Sequence, residues 1–167
     1  LRPTTDRVKE TVFNWLAPYI GGATVLDLFA GSGSLGLEAL SRGAGSLSAI
    51  EKNKFAAKAI QENLKLLGVI DKTSSVRNTD ALHWLEESNP ELESAFDLVF
   101  LDPPFRKDLL NECLELLAQK PILKKHAIIY LEREKEARDI LIPANWKLLK
   151  EKVAGQVCYQ LYENQAK

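Results

Sequence analysis

Apolar residues recur at helical spacing from the start of the chain. Val8, Val12, Trp15 and Leu16 share one face of a helix that Thr5 or Asp6 can cap and Gly21-Gly22 ends. Residues 24–29 then form a short apolar run, broken by Gly31-Ser32-Gly33, which predicts a strand and a following helix through Leu40. Arg42-Gly43 closes that helix, and residues 46–51 read as a second strand. A helix over about residues 53–67 stops at Gly68, followed by a short strand over 74–78 and a short helix over 81–87. The polar stretch 88–94, which holds Pro90, predicts a surface loop. Residues 96–101 are nearly all apolar, as a strand buried on both faces should be. A helix over 108–118, a fifth strand over 127–132 and a short helix over 134–141 follow. Residues 146–152 and 156–163 alternate about Gly155 and predict a β-hairpin.

Strands alternating with helices at this spacing imply an α/β fold: a mostly parallel sheet with right-handed crossovers and helices on both faces. The closing hairpin adds an antiparallel edge. Ligands bind such sheets beyond the carboxyl ends of the strands. Attention therefore falls on the residues that end strands one to four.

Composition narrows the setting. The 167 residues suit one domain, taken as residues 1–167, and the 46% apolar and 27% charged content is that of an ordinary globular protein. A net charge of −1 means that any polyanion must be held by local basic patches. No apolar run approaches the ~18 residues that span a bilayer, and no signal peptide is visible. The two cysteines form neither a disulfide framework nor a zinc spacing, so no metal is expected and a reducing cytoplasm is the simplest location. A monomer is expected. The chain has no methionine and opens abruptly at Leu1-Arg2-Pro3, which reads as a chain lacking its natural N-terminus.

The first strand runs into Asp27-Leu28-Phe29-Ala30-Gly31-Ser32-Gly33-Ser34-Leu35-Gly36. Glycines let the backbone turn sharply and approach a ligand. With Glu51 twenty residues after Gly31, the run also fits a dinucleotide fingerprint, or simple packing of a helix on a strand. Asp27 argues against the dinucleotide, because a carboxylate beside a pyrophosphate is repelled. It suits a ligand with a cationic end, such as the ammonium or sulfonium of S-adenosylmethionine. Glu51 can accept both ribose hydroxyls, or be a solvated acid before the next helix. Asp80, before Ala81, can accept an adenine amino group, cap the helix that follows, or do both.

Strand four delivers the most specific signal, Asp102-Pro103-Pro104-Phe105. The lone pair of an exocyclic base amine is delocalised into the ring, so the amine is a poor nucleophile. Hydrogen bonds accepted from both of its N–H groups turn that lone pair toward an incoming methyl. Consecutive prolines carry no N–H and present carbonyl acceptors at a fixed φ. Asp102 supplies one acceptor, the Pro103 carbonyl a second, and Phe105 a face for base stacking, worth roughly 1–3 kcal/mol. A proline turn that merely ends a buried strand is the plain alternative.

Together, residues 27–33 and 102–105 resemble the class I amino-methyltransferases. Two further segments, Leu1-Arg2-Pro3-Thr4-Thr5-Asp6-Arg7-Val8-Lys9-Glu10 and Lys150-Glu151-Lys152-Val153-Ala154-Gly155-Gln156-Val157, resemble the bacterial guanine-N2 methyltransferases of small-subunit ribosomal RNA, the RsmD family. That resemblance implies a Rossmann-like sheet of seven strands, the last antiparallel. It implies S-adenosylmethionine held by Asp27, Phe29, Ala30, Gly31, Gly33, Glu51, Lys52, Asp80 and Ala81. It implies methylation of one guanine of small-subunit rRNA within an assembling subunit. The family's basic hairpin before the Leu-Arg-Pro segment has no counterpart here, and Lys52-Asn53-Lys54 stands where an acidic residue is more usual.

A base within folded RNA must be turned out of its stack to reach Asp102. Arg2, Thr4, Thr5, Arg7, Arg106 and Lys107 are the candidates for gripping the flanking RNA, whereas Lys9 reads as a solvated helix face. Lys147, Lys150 and Lys152 read as an exposed strand face, Trp84 and Trp146 as core, and His83 and His126 carry no assigned role. The competing readings are a DNA adenine-N6 methyltransferase, for whose recognition segment there is no room, and an NAD-dependent oxidoreductase. An inactive RNA-binding assembly factor is the third. A glutamine methyltransferase is disfavoured because its turn typically begins with Asn.

Overall fold

The computed structural model describes residues 5–68, 74–87, 92–105 and 107–165. Arg2, Thr4, Arg106, the side chain of Lys107 and part of the expected 88–94 loop lie outside the described residues. The helices are α1 (Asp6–Ile20), α2 (Ser34–Ser41), α3 (Lys54–Leu66), α4 (Ala81–Glu86) and α5 (Lys107–Gln119). The strands are β1 (Thr24–Asp27), β2 (Ser46–Ile50), β3 (Ser75–Arg77), β4 (Phe96–Leu101), β5 (Leu123–Glu134), β6 (Trp146–Ala154) and β7 (Val157–Asn164).

The strands form one sheet in the order β3-β2-β1-β4-β5-β7-β6. Neighbours from β3 through β5 are parallel, and β7 is antiparallel to both β5 and β6. The expected hairpin is there, turning at Gly155 with a φ of 60°. Its second strand lies inside the sheet and β6 forms the edge. The chain returns from β3 at one edge to β4 beside β1, so the order reverses between β1 and β4. Ligands of doubly wound sheets sit at that switch point.

Successive strand residues face opposite sides, and each side has its own core. On one side Val25, Ala49, Leu98, Phe100, Ile128 and Tyr130 meet Val8, Val12, Phe13 and Leu16 of α1, Ala39 of α2 and Ile60 of α3. On the other, Leu26, Val99, Leu101, Ile129 and Leu131 meet Leu85 of α4 and Leu110, Cys113 and Leu114 of α5. Val8, Val12, Leu16 and Ile20 recur every four residues with Phe13 beside them on the buried face, which is why that stretch is helical in this setting. No helix among the described residues is long and apolar enough to cross a membrane.

Two expectations change. The fifth strand is longer than 127–132: it starts at Leu123 and passes an irregularity where its register with β4 shifts and His126 takes a φ of 70°. The short helix expected over 134–141 does not form. Asp139 has a φ of 57°, incompatible with a right-handed helix, and the side chain of Asn111 on α5 takes over the backbone pairing. Asn111 donates to the Asp139 carbonyl at 3.0 Å and accepts from the Leu141 N–H at 2.9 Å.

Candidate active site

The pleat decides which strand-end residues meet. Asp27 follows Val25 by two positions, Asp102 follows Phe100, and Glu132 follows Tyr130, so all three carboxyls project on the side that carries α1. Leu101 pairs with Leu131, which sets Asp102 beside Glu132 one step beyond. Three acids therefore line the carboxyl edge of β1, β4 and β5, next to the switch point.

Asp27 is 1% exposed, and its Oδ1 has no hydrogen-bond partner among the described residues. Burial pushes its carboxyl up to about 7, an effect opposed by the backbone N–H groups of Gly36 and Phe29 and reinforced by Glu51 and Glu132. A buried carboxylate oxygen without a donor is destabilising alone and favourable opposite a cation. The turn above it is tight. Gly33 has a φ of 83° as the N-cap of α2, and a Cβ there would stand 2.9 Å from Ile60 Cγ1. This donor set fits a ligand with a positively charged end.

Glu51 directly follows β2 and is engaged by backbone on both sides. Its Oε1 accepts from the Gly31 N–H at 2.8 Å and its Oε2 from the Asn53 N–H at 2.8 Å. The acid thus ties the glycine turn to the start of α3, and Asn78 holds the same corner by donating to the Glu51 and Lys52 carbonyls at 3.0 and 2.9 Å. Lys52 is exposed, Phe29 is half-buried and Ala30 is buried. Asp80 accepts from the His83 N–H at 3.1 Å as the N-cap of α4, whose first residue, Ala81, is buried.

At the end of β4, Asp102 is half-buried, Pro103 buried and Pro104 exposed, while the Phe105 ring is 40% exposed. Glu132 is 4% exposed and lies beside Asp102, one step beyond the Leu101–Leu131 pair. Burial, then the Glu132 and Asp27 carboxylates, hold Asp102 far above the usual carboxylate range. Pro103, Pro104, Phe105, Leu110, Glu132 and Ile140 contribute to the wall of a small pocket between the turn and the segment after β5.

On the expected RNA side the picture is mixed. Thr5 spends its hydroxyl as the N-cap of α1, accepting from the Val8 N–H at 3.3 Å. Arg7 is exposed on the first turn of α1. Lys9 is partly buried and lies 3.7 Å from Glu38 of α2. Trp146 is buried and Trp84 packs near Phe96, with ring centroids 6.2 Å apart. His83 and His126 form exposed pairs with Glu87 and Glu163.

The residue that sequence reasoning missed is Glu132. It follows the apolar run of the fifth strand as Asp27, Glu51 and Asp102 end or follow those of theirs, and looking one strand further would have found it.

The family described as Conserved hypothetical protein 95 matches residues 1–163. The chain is 48% identical over 164 residues to ribosomal RNA small subunit methyltransferase D of Haemophilus influenzae, covering 98% of this chain and 83% of that protein. It is 47% identical over 166 residues to the Escherichia coli K12 protein of the same name, covering 99% and 81%. The solved structure of yhhF from Escherichia coli superposes with a TM-score of 0.89 at 47% identity, over all of this chain and 89% of that one. A SAM-dependent methyltransferase from Aquifex aeolicus, 23% identical, shares the fold at a TM-score of 0.63, over 93% and 88% of the two chains.

Proposed function

From the premise that this chain belongs to the Conserved hypothetical protein 95 family, with close relatives named ribosomal RNA small subunit methyltransferase D, we propose that it methylates small-subunit rRNA. The proposed donor is S-adenosylmethionine and the acceptor the exocyclic N2 of one guanine. The observation that carries this reading is the side-by-side placement of Asp27 and Asp102 across the switch point. One is a buried acid with an oxygen left for a cation, the other an acid that opens a proline turn.

When bound, S-adenosylmethionine supplies the electrophilic methyl group. Asp27 faces its cationic end, the Gly31–Gly33 turn lets the backbone close around it, and Glu51 with Asp80-Ala81 borders its nucleoside. Phe105 stacks the extruded guanine. Asp102 and the Pro103 carbonyl accept from the two N2–H groups and turn the nitrogen lone pair toward the methyl. Much of the acceleration is positional, since holding nucleophile and electrophile in line removes the entropy cost of their encounter. Arg7, with the Arg106-Lys107 pair after the turn, supplies cations for the flanking phosphates.

The test is labelled methyl transfer to undermodified small subunits, naked rRNA and DNA, followed by nucleoside analysis. The expected product is N2-methylguanosine in the rRNA arms. Label in N6-methyladenine of DNA, or none in any arm, overturns the reading.

A further inference from the structure

We propose that Glu132 acts through Asp102 as a proton-sharing partner, so that the two carboxyls work as one unit with a single negative charge: Asp102 takes the proton that guanine N2 gives up and passes its own proton to Glu132. The inference rests on the methyltransferase reading above and extends it to a residue that reading does not use.

Register and pleat set Glu132 beside Asp102 on the same side of the sheet, the Glu132 charge opposes ionisation of Asp102, and Glu132 is 4% exposed. Two carboxyls in such contact cannot both ionise at modest cost, and the stable form shares one proton between them. Glu132 also lines the same pocket as Pro103, Pro104 and Phe105, so the pair borders the place where the base stacks.

The surroundings reinforce a single charge. Asp27 on β1 adds negative potential to Asp102, and Tyr130, two residues before Glu132 on β5, is held neutral by burial first and then by the Glu132 and Asp102 charges. Tyr159 pairs with Glu132 across from β7. Arg133 is the next residue along β5, and with Glu134 it lines the pocket. Arg133 gives its Nε–H to Gln160 at 3.2 Å and a second guanidinium N–H to the Glu134 carbonyl at 3.2 Å.

The division of labour follows. The shared proton sits as Asp102 O–H donated to the Glu132 carboxylate, which leaves the other Asp102 oxygen as a neutral acceptor for guanine N2–H. Once the N–CH3 bond forms and the C–S bond of the donor breaks, N2 carries an extra proton and a positive charge. The N2–H bond then breaks as a new O–H forms on Asp102, while the original Asp102 O–H passes its proton to Glu132. Atoms and charge balance: N2 ends as a neutral secondary amine, and the pair ends doubly protonated and uncharged. Release of one proton to water restores the starting state. Positioned proton transfer of this kind typically contributes a factor of about 10²–10⁴.

Glu132→Gln keeps the shape and removes the proton-accepting capacity. The expected result is a kcat at least tenfold lower, an acid limb of the kcat–pH profile moved from its wild-type position, and S-adenosylhomocysteine affinity within about threefold. Glu132→Asp, which keeps a carboxyl, should recover part of the rate. Asp102→Asn combined with Glu132→Gln should be little worse than the poorer single variant, because partners in one unit are not additive. In the ligand-free protein the melting temperature of wild type should fall as pH rises through the ionisation of the pair, and Glu132→Gln should flatten that fall. This last readout needs no turnover, and it applies to any folded variant. A Glu132→Gln enzyme with wild-type kcat and pH profile, or strictly additive losses in the double variant, overturns the proposal. Absence of methyl transfer by the wild-type protein strikes the methyltransferase reading instead.

Discussion

Asp27 is the residue at which burial and function conflict most openly. Its carboxyl rests near 7 in the folded chain because it is wholly buried, whereas in an unfolded chain an aspartate ionises near 3.9. The folded state therefore holds the proton more tightly, and the associated stability is fully present below about pH 4 and lost as pH rises through about 7. The cost above pH 7 reaches on the order of 4 kcal/mol at most. Asp27→Asn should thus raise the melting temperature at pH 8 by more than at pH 5, while weakening cofactor binding. In wild type, cofactor affinity should drop as pH falls below about 7, where Asp27 takes up its proton and no longer opposes a cation. Calorimetry at pH 6.0 and 7.5 checks this, and equal affinities would separate Asp27 from the ligand. Glu51 makes a related prediction. Because it holds the Gly31 and Asn53 N–H groups, Glu51→Ala should weaken cofactor binding at least tenfold, and unchanged affinity by calorimetry would count against it.

At the scale of elements, most boundaries follow from periodicity and turn chemistry, and the exceptions have causes. The helices ending at Gly21-Gly22, Arg42-Gly43 and Gly68 were legible because glycine accepts the positive φ that stops them, 72° at both Gly22 and Gly68. The segment after β5 was not legible. Its charged residues suit a helix as well as a loop, and the side chain that decides the matter is Asn111, some thirty residues away on α5. The same limit applies to Glu132, whose meaning depends on which strand lies beside it. Thr5 shows an element laying claim to a residue assigned elsewhere. Its hydroxyl caps α1, so Thr5→Ala should cost about 1 kcal/mol, or about 2–4 °C in melting temperature for a chain of this size. RNA affinity should change little, and a loss of RNA binding at constant stability would return Thr5 to the substrate interface.

At the scale of the molecule, chemistry and substrate are legible to different depths. The mostly parallel sheet follows from alternating strands and helices, and its observed order gathers Asp27, Glu51 and Asp102 at one edge. Guanine enters only through resemblance at the two ends of the chain, and ribosomal RNA through that resemblance and through relatives so named. The charge is a constraint on how RNA is held. With a net charge of −1, the protein has no general attraction for a polyanion, so binding should rest on a few local phosphate contacts. Each contact contributes about 0.7–0.9 to the slope of log affinity against log salt. A slope of about −3 or shallower is expected by fluorescence anisotropy, and a much steeper one would mean a larger basic surface.

The central claim is that the turn opened by Asp102 orients an amine beside a cofactor that other residues bind. Asp102→Ala separates those two functions in one protein. Single-turnover methyl transfer to undermodified rRNA should fall at least a hundredfold, while calorimetry gives an S-adenosylhomocysteine affinity within about threefold of wild type. An Asp102→Ala protein that still methylates guanine at the wild-type rate would contradict the account.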